Sequence, residues 1–109
     1  MTGVSGDEGG LGYFGFSYYE AAADQLNLVG VDSGDGSCVK PSAETIQDGS
    51  YKPLSRPLFM YPKAEAMQRP EVKAFMQFVT TQAPAIAEAA KIVPLTDAQV
   101  TEAQGALAQ

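Results

Sequence analysis

Three short apolar runs, "LGYFGF" (residues 11–16), "LNLVGVD" (26–32) and "PLFMYPK" (57–63), are each cut off by glycine or proline before reaching the length of a helix. This punctuation restricts the chain more than any other feature. Each run reads as a strand: aromatic and branched residues fit a pleated surface, and Pro57 and Pro62 confine pairing of the third run to the stretch between them. Between the runs the pattern turns helical. "SYYEAAADQ" offers Ser17 as an N-cap, and a short helix is expected after Pro41-Ser42, with Ser42 as cap and Glu44 suited to the helix dipole. From Pro70 the period changes to 3.6. Val72, Phe75, Met76 and Val79 fall on one stripe, Pro84 restarts the helix with Ile86, Ala87 and Ala90, and Thr96 with Gln99 caps a last helix striped by Val100, Ala103 and Leu107.

Strand–helix alternation in the first half implies an α/β sheet with crossovers, on which the helical tail must pack. Three strands are few for so many helices. The shortage points to strands supplied by a longer parent or by a second copy of the chain. A length of 109 residues fits one domain or a piece of a larger one.

With 13 acids against 7 bases and no histidine, the net charge of −6 repels a phosphate backbone over most of the surface. Nucleic-acid binding is therefore not expected. No stretch approaches the ~20 apolar residues of a membrane span, and the N-terminus carries no basic-then-apolar signal, so the chain itself reads as soluble. The single cysteine, Cys38, cannot close an internal disulfide or build a zinc site.

Gly10, Gly12 and Gly15 form a G-x-G-x-x-G pattern with Asp32 following at the distance of a ribose-binding acid, which suggests a dinucleotide site. An α/β dinucleotide-binding domain of a small oxidoreductase is thus the alternative reading. Against it, "MTGVSGDEG" has no apolar run to form the strand before Gly10, Tyr13 and Phe14 place bulk where a cofactor needs open backbone, and the glycine segment itself resembles a strand. Its glycines would then admit a neighbouring backbone, and Asp32 would be a strand-end acid at a turn.

No catalytic set emerges. The serines lack a histidine to activate them, and the lone cysteine has no base in view. The acids Asp7 with Glu8 and Asp32 with Asp35 read as solvated loop residues before calcium ligands. Ser5-Gly6 and Ser33-Gly34 could present backbone N–H groups to an anion, although turn punctuation is the commoner use, and Arg56 could meet an anion or a structural carboxylate. Tyr18 and Tyr19 are expected to cover the core with one ring and face water with the other. No enzyme activity, cofactor or metal is expected.

Taken together, "GDEGGLGYFGFSYYEAAADQLNLVGVD" and "CVKPSAETIQDGSYKPLSRPLFMYPK" resemble the C-terminal part of the PstS-like phosphate-binding proteins of phosphate ABC importers. The likeness runs from about Gly6 to Leu107 and includes the helix after "RPEV" and the closing "VPL" segment. The resemblance implies a type II periplasmic-binding-protein fold of two α/β lobes, this chain being a C-terminal fragment that forms a partial lobe: a small mixed sheet, flanking helices and a helical C-terminal tail. On that pattern about 6–52 would be a second-lobe segment and about 53–109 a return segment to the first lobe. It further implies a parent, periplasmic or at the cell surface, that captures inorganic phosphate and hands it to ABC permease membrane subunits. The family's main phosphate ligands lie on segments outside this part, so none transfers by motif; Ser5, Gly6 and Tyr13 are the residues placed nearest the cleft. The isolated fragment is expected not to bind phosphate and to self-associate through unpaired strands.

Overall fold

The computed structural model describes residues 1–107. Ala108 and Gln109, the end of the expected last helix and of the segment running from about 53 to 109, lie outside the described residues. The chain divides into two compact units, Met1–Ser55 with Lys91–Val93, and Arg56–Ala90 with the stretch from Pro94 on.

The first unit begins with α1 (Thr2–Ser5), followed by an irregular glycine-rich stretch and α2 (Phe16–Glu20). The stretch 9–15 folds back on α1. A Cβ built on Gly10 would stand 2.9 Å from the Asp7 carbonyl oxygen and 3.2 Å from Val4 Cα, and one on Gly12 would stand 2.7 Å from Val4 Cγ2. These glycines are therefore spacers for Val4. Gly10→Ala is expected to cost about 1–3 kcal/mol because its close contacts are backbone atoms that cannot swing away. Gly3→Ala, which meets nothing within 4 Å, serves as the control and is expected to stay within about 0.5 kcal/mol. Equal urea midpoints for the two variants would contradict the close approach.

Strands are shorter than the apolar runs suggest. β1 (Val31–Asp32) pairs antiparallel with β2 (Cys38–Val39), Val31 opposite Val39 and Asp32 opposite Cys38, in a two-stranded hairpin. The α/β class stands, but residues 11–15 and 57–63 form no strand, and a hairpin replaces the expected crossover. The physical reason is the lack of a neighbour: a run without an adjacent edge has nothing to accept its ladder of hydrogen bonds. Ser17 likewise lies inside α2, whose N-cap is Gly15, since the chain is already helical at Phe16.

Capping explains α3 (Ala43–Gln47). Ser42 Oγ accepts from Thr45 N at 3.0 Å while Ser42 N donates to Thr45 Oγ1 at 2.8 Å, a reciprocal box with Glu44 in the first turn. After α3, Asp48 Oδ1 accepts from Ser50 N, and Gly49 takes φ +75°, a conformation that glycine reaches without strain.

The second unit is helical: a 3₁₀ turn at Ala66–Gln68, α4 (Pro70–Thr81), α5 (Ala83–Ala89) and α6 (Asp97–Leu107). Proline opens α4 and lies at the start of α5, where a missing N–H costs nothing. Thr96 and Gln99 cap α6 reciprocally, Thr96 N donating to Gln99 Oε1 and Gln99 N to Thr96 Oγ1. α4 packs against α5 and α6. Met76 is buried and Val72 and Val79 are half-buried, whereas Phe75, on the same expected stripe, is 56% exposed. Val100, Ala103 and Leu107 of α6 are all half-buried, as their spacing requires.

Candidate functional site

Ser5 closes α1, its Oγ donating to the Thr2 carbonyl at 3.2 Å, and the Gly6 N–H donates to the same oxygen at 3.2 Å. The Ser5-Gly6 pair is thus a helix end whose donors are already engaged. Tyr13 is 84% exposed. It reaches the neighbourhood of α1 through the residue before it, since Gly12 lies against Val4. Leu11, two residues away, is equally exposed.

The second turn of interest, "DSGDGS", is organised by its own acids. Asp32 Oδ1 accepts from Gly34 N at 2.8 Å and Gly36 N at 3.0 Å, and Asp35 Oδ1 accepts from Ser37 Oγ at 2.5 Å and Ser37 N at 2.9 Å. The Ser37 hydroxyl, and after it the Ser37 N–H, hold the Asp35 carboxyl below its ordinary value. Gly34 and Gly36, at φ +99° and +84°, permit the fold of this loop. Ser33 Oγ donates to the Lys52 carbonyl at 3.0 Å. The Gly34 N–H is therefore spent on Asp32, and the Ser33-Gly34 step punctuates a turn.

The same facts correct the dinucleotide alternative. α1 occupies the place where a strand would have to precede Gly10, Val4 fills the space beside Gly10 and Gly12, and Gly15 caps a helix of 5 residues. Asp32 ends β1 and ties its own turn. Gly10, Gly12, Gly15 and Asp32 are structural.

Arg56 is exposed and forms no ion pair among the described residues; the one cation–carboxylate pair found there joins Arg69 and Glu71, both exposed, at 2.5 Å. Such a pair contributes little to stability. Cys38 is a free, exposed thiol. Among the described residues no group of three or more His, Cys, Asp or Glu could hold a metal ion, and no helix is long and apolar enough to cross a membrane. Tyr18 is 56% exposed while Tyr19 is half-buried against Phe16, ring centroids 6.1 Å apart, which is the division of labour the sequence suggests.

One feature escaped the sequence reading: an open groove of about 520 Å³ beside α4 and α6, lined by Lys73, Gln77, Thr80, Thr81, Gln104 and Leu107. Its signal is the polar spacing 73, 77, 80, 81 on the side of α4 away from Phe75. The threonine hydroxyls donate to carbonyls of their own helix, Thr80 to Met76 and Gln77, Thr81 to Gln77 and Phe78. Their donors are thus engaged within the helix.

No family model matches the chain. It is 38% identical over 95 residues to the protein SphX of Synechococcus elongatus, covering 87% of this chain and 28% of that protein. SphX of Synechocystis is 44% identical over 98 residues, or 89% of this chain and 29% of its own length. The phosphate-binding protein PstS of Staphylococcus saprophyticus is 39% identical over 108 residues, 98% of this chain and 34% of PstS. Among solved structures, that of a possible phosphate binding protein from Planctomyces limnophilus matches 98% of this chain and 38% of its own, with TM-score 0.87 and 36% identity. The chain thus spans about a third or less of the length of these curated relatives.

Proposed function

We propose that this chain, a homologue of part of SphX and of the phosphate-binding protein PstS, is a portion of an extracytoplasmic solute-binding protein that captures inorganic phosphate for an ABC importer. The observation that carries the reading is the structural match, 98% of this chain superimposing with TM-score 0.87 on a possible phosphate binding protein at 36% identity. Capture would proceed by closure of two lobes about the anion, a hinge motion that makes and breaks no covalent bond and so asks for no catalytic residue. Residues of about 6–52 would belong to one lobe and those from about 53 onward would return to the other. The permease would receive the closed, loaded form.

Within this scheme the main phosphate donors sit outside the chain. Ser5, Gly6 and Tyr13 would approach the cleft from its edge: Tyr13 carries a phenolic O–H that is free to turn, and Ser5 keeps acceptor capacity beyond its bond to Thr2. The net charge of −6 is no obstacle, because a dehydrated anion is held by local hydrogen bonds. Without the remaining lobe the chain would self-associate.

Isothermal calorimetry with inorganic phosphate tests the reading. The 109-residue chain is expected to release no one-to-one binding heat, and the longer protein that contains it to bind tightly. In that longer protein Tyr13→Phe is expected to weaken binding about tenfold if its hydroxyl reaches the anion. Tight one-to-one binding by the short chain would overturn the placement of the ligands, and no binding by the longer protein would overturn the function.

A further inference from the structure

The tripeptide Asp-Gly-Ser occurs twice in the first unit, at 35–37 and at 48–50. Both copies adopt the same turn. Asp35 Oδ1 accepts from Ser37 N at 2.9 Å and Asp48 Oδ1 from Ser50 N at 2.8 Å, and the glycine between takes φ +84° in one and +75° in the other. Both aspartates are exposed, and a Cβ built on either glycine meets nothing within 4 Å. In each copy the serine hydroxyl, and after it the serine N–H, hold the aspartate carboxyl below its ordinary value, Lys52 adding to the effect at Asp35. The copies part at the glycine nitrogen. Gly36 N donates to Asp32 Oδ1 at 3.0 Å, whereas Gly49 N donates to nothing among the described residues.

Aspartate before glycine is the pairing in which a backbone nitrogen most easily attacks the preceding side chain, because glycine has no Cβ to obstruct it. The bond from the serine N–H folds the aspartate side chain back over the glycine amide in both copies. From the protonated Asp48 carboxyl, the Gly49 nitrogen would bond to Asp48 Cγ and release its proton while the Cγ–OH bond breaks, so that water leaves and a succinimide ring closes. Water then adds to either ring carbonyl. Addition at Cγ restores aspartate. Addition at the main-chain carbonyl carbon breaks that carbon's bond to the Gly49 nitrogen and leaves the chain running through Cβ and Cγ, an isoaspartyl residue with a free α-carboxylate. The water lost equals the water gained, and no oxidant takes part. Asp48 has ψ −8°, so ring closure also asks this angle to turn, and the Gly49 N–H has no bond that the turn would break. At residue 35 the Gly36 nitrogen must first leave Asp32.

We infer that Asp48–Gly49 is a site of spontaneous succinimide formation and isoaspartate conversion, and that Asp35–Gly36 is its protected twin. The inference does not depend on the phosphate reading. Conversion inserts Cβ of residue 48 into the main chain directly after α3 and draws the Tyr51 N–H away from the Thr45 carbonyl that it meets at 2.8 Å. The new α-carboxylate is the group that isoaspartyl methyltransferases esterify, so aged copies of the chain become substrates for that class of enzyme.

The test incubates the 109-residue chain near neutral pH and follows both Asp-Gly pairs by peptide mapping, in which the isoaspartyl form separates chromatographically and resists an endoprotease that cleaves before aspartate. Isoaspartate is expected to accumulate at residue 48 about tenfold or more faster than at residue 35, the rate equivalent of one hydrogen bond to a charged group. In urea, where the fold is gone and the two tripeptides are identical, the two rates should converge. Asp32→Ala leaves Gly36 N without its acceptor, and should speed residue 35 toward the rate of residue 48 while residue 48 keeps its own. Helical circular dichroism checks that this variant retains α3. Equal rates in the folded chain, or faster conversion at residue 35, overturn the inference. A difference that persists in urea also overturns it, since the glycine amide's partner would then not be the cause. A residue 35 rate unmoved by Asp32→Ala overturns the protection assigned to the Gly36 bond.

Discussion

Met76→Asp is expected to abolish the packing of α4 on α5 and α6. Met76 is 6% exposed and, with Ala87, is one of two buried apolar residues described in its unit. Truncating a buried methionine costs about 2–5 kcal/mol, and aspartate adds the penalty of a polar group without a partner, about 1–3 kcal/mol more. A unit with so little buried surface has no such reserve. The variant should therefore lose most of the helical circular dichroism contributed by α4, α5 and α6, with no cooperative urea transition. Phe75→Asp is the discriminating control. It sits one residue earlier on the same helix but is 56% exposed, so its change should stay within about 1 kcal/mol. If the two variants melt together, the packing described for α4 is wrong.

That contrast also shows where sequence reasoning reaches its limit. Helices announced themselves through local chemistry: Ser42 as a cap, Pro70 at the start of α4 and the Thr96–Gln99 box are all local signals and each holds, whereas Thr45 as the reciprocal partner of Ser42 appears only in the structure. Strands depend on a partner that local chemistry cannot supply. "LGYFGF" and "PLFMYPK" carry strand-like residues, yet among the described residues only Val31–Asp32 and Cys38–Val39, which find each other across the "DSGDGS" turn, pair. The stripe through Val72, Phe75, Met76 and Val79 gives the correct helix but cannot tell which of its members face α6 and which face water. At the candidate site the same division holds. Asp32 as a turn-tying acid was legible from the glycines after it, whereas the engagement of the Ser5-Gly6 donors by Thr2 required the fold.

Self-association of the free chain should follow from the same unpaired runs, and it should be weak. Burying roughly 100 Å² from each of the two rings at Phe59 and Tyr61 in two copies returns about 10 kcal/mol at about 25 cal/mol per Å². Association itself costs about 4–15 kcal/mol in lost freedom. At the favourable end the balance is about 6 kcal/mol, a dissociation constant of some tens of micromolar, so sedimentation velocity from about ten to several hundred micromolar should show a concentration-dependent mixture of monomer and larger species. Replacing both rings, Phe59→Asp with Tyr61→Asp, removes that apolar surface and sets like charges against each other, and should move the equilibrium about a hundredfold or more toward monomer. Leu11→Asp, at a residue 84% exposed in the other unit, should move it far less if the run at 58–61 carries the contact. A strictly monomeric unaltered chain at every concentration would remove the case for self-association. An oligomer that ignores the double substitution but yields to Leu11→Asp would shift the sticky surface to the glycine-rich stretch beside α1.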